Sequence, residues 1–309
     1  MWIALSIIGG FIILTLGAEA LVKGASQIAL RLGIAPLIIG LTIVAFGTSA
    51  PEFAVSIKAA LAGNADIAIG NVLGSNIANI GLILAITALI KPIRVKSQMV
   101  KRDIPLMIIA SLLLTALLWD GGLGLIDGII LATLLVAYLV MSYLKADPQD
   151  SDEVDAEDNN LAPWQSLLMI VVGISMLVGG GIVFVDGAVE LATVLGISQV
   201  VIGLTVVAVG TSMPELATSV VAARRGKSDI AIGNVVGSNL FNILGILGIT
   251  AIIAPISSQS LATLDLMVML MLAAILLPFA WTGYRIGRRE GSLLLICYLA
   301  YISHLVLNA

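Results

Sequence analysis

One apolar, acid-bearing segment occurs twice in this chain, and any fold it adopts must accommodate two copies of one structure. The first copy, GLTIVAFGTSAPEFAVSIKAALAGNADIAIGNVLGSNIANI, runs from Gly40 to Ile80. The second, GLTVVAVGTSMPELATSVVAARRGKSDIAIGNVVGSNLFNI, runs from Gly203 to Ile243, and roughly two-thirds of its positions are identical without a gap. Such self-similarity marks a duplicated unit. Each copy carries one glutamate in hydrophobic surroundings, Glu52 and Glu215. An ionisable group at membrane depth is costly and points to function, and a matched pair does so more strongly than a single residue.

That the surroundings are membrane follows from composition. With 60% hydrophobic and 11% charged residues and a mean hydropathy of +1.13, nearly all of a soluble fold would have to be core. Apolar runs of the ~20 residues that cross a bilayer recur from end to end. The first, Trp2 to Val22, lacks the charged n-region of a cleaved signal and reads as a retained helix. The net charge of −4 gives no reason to invoke nucleic acid. Cys297 is the single cysteine, so no intrachain disulfide forms, and the lone His304 reads as lipid-facing or interfacial.

Hydropathy against charged punctuation predicts an all-α polytopic membrane protein with helices near 2–22, 34–62, 67–90, 104–119, 123–144, 164–185, 197–223, 229–253, 263–282 and 291–307. Ten spans divide five and five, as residues 1–145 and 164–309. An odd number per repeat inverts the second half relative to the first, the architecture of secondary transporters. Lysine and arginine favour the cytoplasmic side. With both termini outside, Lys23, Arg31, Lys91, Arg94, Lys96, Lys101, Arg102, Lys145, Arg224, Arg225, Lys227, Arg285, Arg288 and Arg289 fall in cytoplasmic loops, and only Lys58 on the other face. The expected location is the inner or plasma membrane. Residues 146–163 form an acidic cytoplasmic linker carrying Asp147, Asp150, Asp152, Glu153, Asp155, Glu157 and Asp158. It lacks the central glycine and ligand spacing of a calcium-binding loop and reads as solvated.

Spans two and seven are interrupted by Gly-Thr-Ser-x-Pro-Glu: Gly47, Thr48, Ser49, Pro51 and Glu52, then Gly210, Thr211, Ser212, Pro214 and Glu215. Proline lacks an N–H and clashes one turn back, which predicts carbonyls near Ala45 and Ala208 freed from helical bonding. A bound cation would satisfy such carbonyls, and hydroxyls and carboxylates within a turn would complete the all-oxygen shell that hard cations require. Spans three and eight add Gly70, Asn71, Gly74, Ser75, Asn76 and Asn79, and Gly233, Asn234, Gly237, Ser238, Asn239 and Asn242. Ser75 and Asn79, like Ser238 and Asn242, are four apart and face one way. Ser75 lies roughly 13 Å along its helix from Asp66, near mid-membrane. The glycines allow close approach to the broken helices. Asn71, Asn76, Asn234 and Asn239 serve equally well as ligands or as interhelical hydrogen-bonders, whereas Asp66 and Asp229 read as caps at the membrane surface.

The paired GTSAPE and GTSMPE segments, each followed by GNVxGSN, resemble the two alpha-repeats of the sodium/calcium exchanger branch of the calcium/cation antiporter superfamily, most closely its small prokaryotic members. The resemblance covers essentially the whole chain. It implies ion ligation by Glu52 and Glu215, by the side chains of Thr48, Ser49, Ser75, Asn79, Thr211, Ser212, Ser238 and Asn242, and by the carbonyls of Ala45 and Ala208. Some members place aspartate where this chain has Asn242, so only two formal charges remain in the cluster here.

The expected function is therefore exchange of Na+ for Ca2+ by alternating access, with no enzymatic activity and no cofactor. The ions and the lipid bilayer are the only expected partners, and the protein is expected to work as a monomer. A proton/calcium or potassium-dependent antiporter is the nearest rival. The proton branch, however, resembles GNAxE at the glutamate, and no histidine lies in either repeat. A cation channel would more naturally be a symmetric oligomer around one pore than a chain that duplicates half a site internally.

Overall fold

The computed structural model describes residues 2–144, 162–196, 208–257 and 263–307, and these are helical almost throughout. In chain order the helices are α1 (Trp2–Leu32), α2 (Pro36–Thr48), α3 (Ala50–Leu61), α4 (Ala65–Ile90), α5 (Met99–Asp120), α6 (Leu125–Leu144) and α7 (Pro163–Val194). After them come α8 (Ala208–Thr211) and α9 (Met213–Arg224). Last are α10 (Ser228–Ile253), α11 (Thr263–Tyr284) and α12 (Arg288–Leu307). Among the described residues eight helices are long and apolar enough to cross a membrane, and α2 with α3, bent by 48°, makes a ninth. The pair α8 and α9 repeats that break in the seventh span, whose predicted first part, 197–207, lies outside the described residues, as does nearly all of the acidic linker.

The predicted ends of spans one and six need correction. Lys23 and Arg31, expected in a loop, lie within α1, and α7 runs on beyond residue 185 to Val194. A charged residue does not stop a helix. The stops are Gly33 (φ +61°) and Gly196 (φ +77°), whose left-handed backbone a helix cannot continue through. At ~1.5 Å per residue both helices exceed the ~30 Å apolar thickness of a bilayer.

α1 and α7 pack against each other through glycines at seven-residue spacing. A side chain at Gly17 would meet the Gly173 carbonyl at 2.9 Å, one at Gly24 the Ser166 carbonyl at 2.7 Å, and one at Gly180 the backbone of Leu14 at 2.9 Å. Contacts pairing early α1 with late α7 require the two to run antiparallel. Gly9 and Gly179, adjacent to this seam, have open space around them.

The interior belongs to α4 and α10, whose central windows are 72% and 83% buried, against 22–39% for the other full-length spans. A side chain at Gly233 or Gly237 of α10 would meet the backbone of Leu37 and Leu41 in α2 at 2.7–3.1 Å, the close approach expected of small residues in membranes. The repeat-equivalent partners of Gly70 and Gly74 lie outside the described residues. Large apolar side chains such as Leu5, Ile8, Phe11, Ile109, Val136, Leu167 and Ile296 are more than half exposed. An apolar girdle of that extent is a lipid-facing surface.

Two short antiparallel ribbons close the ends. β1 (Ile93–Arg94) pairs with β4 (Arg285–Ile286), and β2 (Gly122–Leu123) with β3 (Ile256–Ser257). Beside the first ribbon, Lys91 donates to the Arg224 carbonyl at 3.2 Å, Lys96 pairs with Asp229 at 2.9 Å, and Arg288 donates to the Leu89 carbonyl at 3.0 Å. The ends of α4, α9, α10 and α12 thus meet on one face.

Candidate functional site

Each helix break is a serine followed by a proline-led restart. Pro51 and Pro214 stand in the first turn of α3 and α9, where a missing N–H is tolerated. One consequence differs from expectation. The Ala45 carbonyl is not freed, because it accepts the Ser49 amide at 3.0 Å, with the Thr48 hydroxyl 3.2 Å away. The amide that proline deletes is the one that would have reached Gly47, four residues before Pro51. In the second copy the Ser212 amide donates to the carbonyl of Val209, three residues back, at 3.1 Å.

The breaks bring the two halves into direct contact. Ser49 Oγ donates to Glu215 Oε1 at 3.1 Å, and Ser212 Oγ donates to Glu52 Oε1 at 3.1 Å. Both glutamates are 1% exposed. Thr48 Oγ1 lies 3.0 Å from Asn234 Oδ1. Each glutamate is also held from behind. Asn71 donates to the Glu52 carbonyl at 3.1 Å and to Ser56 Oγ at 2.9 Å. Asn234 donates to the Glu215 carbonyl at 3.3 Å and to Ser219 Oγ at 3.0 Å. These bonds are related by the 163-residue offset of the repeat, so a twofold operation exchanges the halves.

Asn79 and Asn242 sit where α4 and α10 pass from α to π geometry, in Asn79–Leu84 and Phe241–Leu247. Single π segments inside α-helices frequently accompany functional sites because they re-aim side chains. Asn79 Nδ2 donates to Asn239 Oδ1 and Asn242 Nδ2 to Asn76 Oδ1, each at 3.0 Å. Ser75 and Ser238 are buried beside them, while Thr211 is half-buried.

Five buried oxygens of this cluster have no hydrogen-bond partner: Glu52 Oε2, Glu215 Oε2, Asn79 Oδ1, Asn242 Oδ1 and Ser238 Oγ. Buried oxygens are normally paired, so a group of unpaired ones in a single neighbourhood needs a reason. Four of the five can only accept, given ionised glutamates, which is the donor set that a hard cation binds. Among the described residues no three His, Cys, Asp or Glu stand together, so the charge here is that of two carboxylates.

Two cavities reach the breaks. One of about 320 Å³ is lined by Pro51, Gly210, Thr211, Pro214 and, on α7, Val178 and Asp186. The other, of about 400 Å³, is lined by Leu14 and Glu19 of α1, Met213, Leu216 and Arg224 of α9, and Ile90. α1 walls one route and α7 the other.

Of the residues expected from sequence, Glu52, Glu215, Ser49, Ser212, Thr48, Asn79 and Asn242 are joined across the repeat interface. Asn71, Asn76, Asn234 and Asn239 bond between helices and hold residues of the cluster. Asp66 and Asp229 stand in the first turns of α4 and α10, where Asn64 and Lys227 occupy the cap positions without a side-chain cap bond, and Asp229 pairs with Lys96. Sequence reasoning missed Ser56 and Ser219, although their identity in both copies was a signal, and it missed Met107 and Met269, whose residue type carries none. It also missed a second repeat-related pair: Tyr138 reaches Asp103 at 3.5 Å and Tyr301 reaches Asp265 at 2.9 Å.

Inverted five-helix repeats closed around two buried glutamates and unpaired oxygens define a class: a secondary transporter of cations. The family described as sodium/calcium exchanger protein matches the chain twice, over residues 2–144 and 165–307. The chain belongs to that family and is a multi-pass membrane cation/Ca2+ antiporter. It is 42% identical over 302 residues to the putative antiporter CaxA of Alkalimonas amylolytica, covering 94% of this chain and 95% of that one. It is 34% identical to the sodium/calcium exchanger MaX1 of Methanosarcina acetivorans, covering 95% of each. Its fold superimposes on the sodium-calcium exchanger NCX_Mj, soaked with 2.5 mM Na+ and 0.1 mM Ca2+, with a TM-score of 0.86 and 32% identity over 98% of both chains.

Proposed function

We propose that the chain exchanges Na+ for Ca2+ across the inner or plasma membrane, extruding calcium, with both termini outside and no enzymatic activity. Glu52 and Glu215 hold the ions together with the side chains of Thr48, Ser49, Ser75, Asn79, Thr211, Ser212, Ser238 and Asn242. The carbonyls of Ala45 and Ala208 contribute where the adjoining hydroxyl turns away. The observation that carries this reading is the group of five unpaired buried oxygens around two carboxylates. Two negative charges balance one Ca2+, so calcium and sodium occupy the cluster in alternation. The names of MaX1 and NCX_Mj support sodium as the counter-ion.

The serine–glutamate bonds couple the halves, so an ion entering from one cavity changes contacts in both. Alternating access follows if α1 and α7 move together across the α2–α3 and α8–α9 breaks and open one cavity while closing the other. With three Na+ per Ca2+, a tenfold sodium gradient supplies about 4.1 kcal/mol, and the extra charge adds about 2.3 kcal/mol per 100 mV. The chain acts as two five-helix repeats, 1–145 and 164–309, joined by a solvated acidic linker, and needs no protein partner.

The test is uptake of radioactive calcium into proteoliposomes under imposed Na+, K+ or H+ gradients. A sodium gradient alone is expected to drive uptake. Uptake driven only by protons, or only with potassium present, would replace this reading with that of the rival antiporters.

A further inference from the structure

We propose that Asn76 and Asn239 are positioning residues that fix which amide atom Asn242 and Asn79 present to the ions, and that the thioethers of Met269 and Met107 set the direction. The proposal rests on the antiporter reading and concerns the same cluster. An asparagine amide has an accepting oxygen at one end and a donating NH2 at the other, so rotation by half a turn converts a cation ligand into a group that repels cations. Asn79 and Asn242 are both neutral and 1% exposed, and without a device to orient them either end could face the site.

The device is a pair of crossed chains. In one, Asn79 Nδ2 donates to Asn239 Oδ1 at 3.0 Å, and Asn239 Nδ2 reaches Met107 Sδ at 3.4 Å. In the other, Asn242 Nδ2 donates to Asn76 Oδ1 at 3.0 Å, and Asn76 Nδ2 reaches Met269 Sδ at 3.8 Å. Each chain begins in one repeat, crosses to the other and returns. A thioether accepts but cannot donate. Its position at the outer end therefore makes Asn76 and Asn239 point their NH2 groups outward and their oxygens inward. The inward oxygen then takes the NH2 of Asn242 or Asn79 and turns that residue's own oxygen away. Of the four amide oxygens in these chains, Asn79 Oδ1 and Asn242 Oδ1 are left unpaired and buried, whereas those of Asn76 and Asn239 are paired, as this polarity requires. A hydroxyl in place of either sulfur could donate as well as accept and would leave the polarity undetermined.

The test is a double-mutant cycle read by equilibrium binding of radioactive calcium to purified protein and by the KM for calcium in proteoliposomes. Asn76→Leu is expected to weaken calcium binding about tenfold, the scale of one hydrogen bond at the site, with little change in maximal rate. A carboxylate accepts at both oxygens, so Asn242→Asp needs no orientation, and Asn76→Leu added to it is expected to cost nothing further. Met269→Leu, a near-isosteric change that tolerates folding, is expected to weaken binding less than Asn76→Leu, and that loss too is expected to vanish in the Asn242→Asp background. If either loss persists undiminished in that background, residue 76 acts through packing alone and the proposal fails. It fails also if neither Asn76→Leu nor Met269→Leu weakens binding. A wild-type protein that binds no calcium would instead remove the antiporter reading.

Discussion

Ser49 and Glu215 belong to opposite halves of the chain, yet the serine hydroxyl donates to the glutamate carboxylate at 3.1 Å. Ser212 and Glu52 make the same bond in the reverse sense. Each carboxylate thus has one oxygen tied to the other repeat and one buried and unpaired. Hydrogen bonds to ionised groups contribute about 1.5–3 kcal/mol, so Ser49→Ala and Ser212→Ala should each weaken cation binding by roughly ten- to a hundredfold. The two losses should be similar, because the bonds are equivalent. Calcium-binding isotherms on the two variants check this, and an unaffected isotherm for either would show that its serine is not coupled to the ions.

The seam between α1 and α7 leaves no room for side chains. Gly17→Leu and Gly180→Leu should lower thermal stability in detergent by about 1–3 kcal/mol, the usual cost of overpacking, and should slow exchange. Gly9→Leu and Gly179→Leu face open space and should change neither. Unfolding curves for the four variants decide the matter, and a destabilised Gly9→Leu would place the seam elsewhere.

If α1 and α7 form the moving unit, cross-linking either of them to the core through engineered cysteines in a Cys297→Ser background should stop transport and spare calcium binding. Normal exchange in fully cross-linked protein would exclude these helices as the gate.

The proposed orientation has its own check. In the same cysteine-free background, Lys58→Cys should react with an impermeant maleimide added to intact cells, and Arg224→Cys only after permeabilisation. Both positions are exposed. The reverse pattern would invert the topology.

The sequence disclosed the duplication, the span count, the inversion and the glutamates, because each is written in residue type and spacing. It misplaced the ends of α1 and α7, since charge was read as punctuation where Lys23 simply continues a helix that Gly33 ends. It took the proline to free the Ala45 carbonyl, which instead accepts the Ser49 amide, since the amide that Pro51 lacks would have reached Gly47. The roles of the asparagines were not legible. Asn76 and Asn79 are the same residue type on one helix, and only contacts with α10 and α11, distant in sequence, separate the orienting residue from the oriented one.

The most direct test of the account is sodium-driven uptake of radioactive calcium by Glu52→Gln and Glu215→Gln reconstituted beside wild type. The amide keeps the shape of the carboxylate and removes half of the charge that balances a divalent ion. Both variants should insert and fold yet show no uptake above that of empty liposomes. Sodium-driven calcium uptake near the wild-type rate in either one would contradict the two-glutamate site.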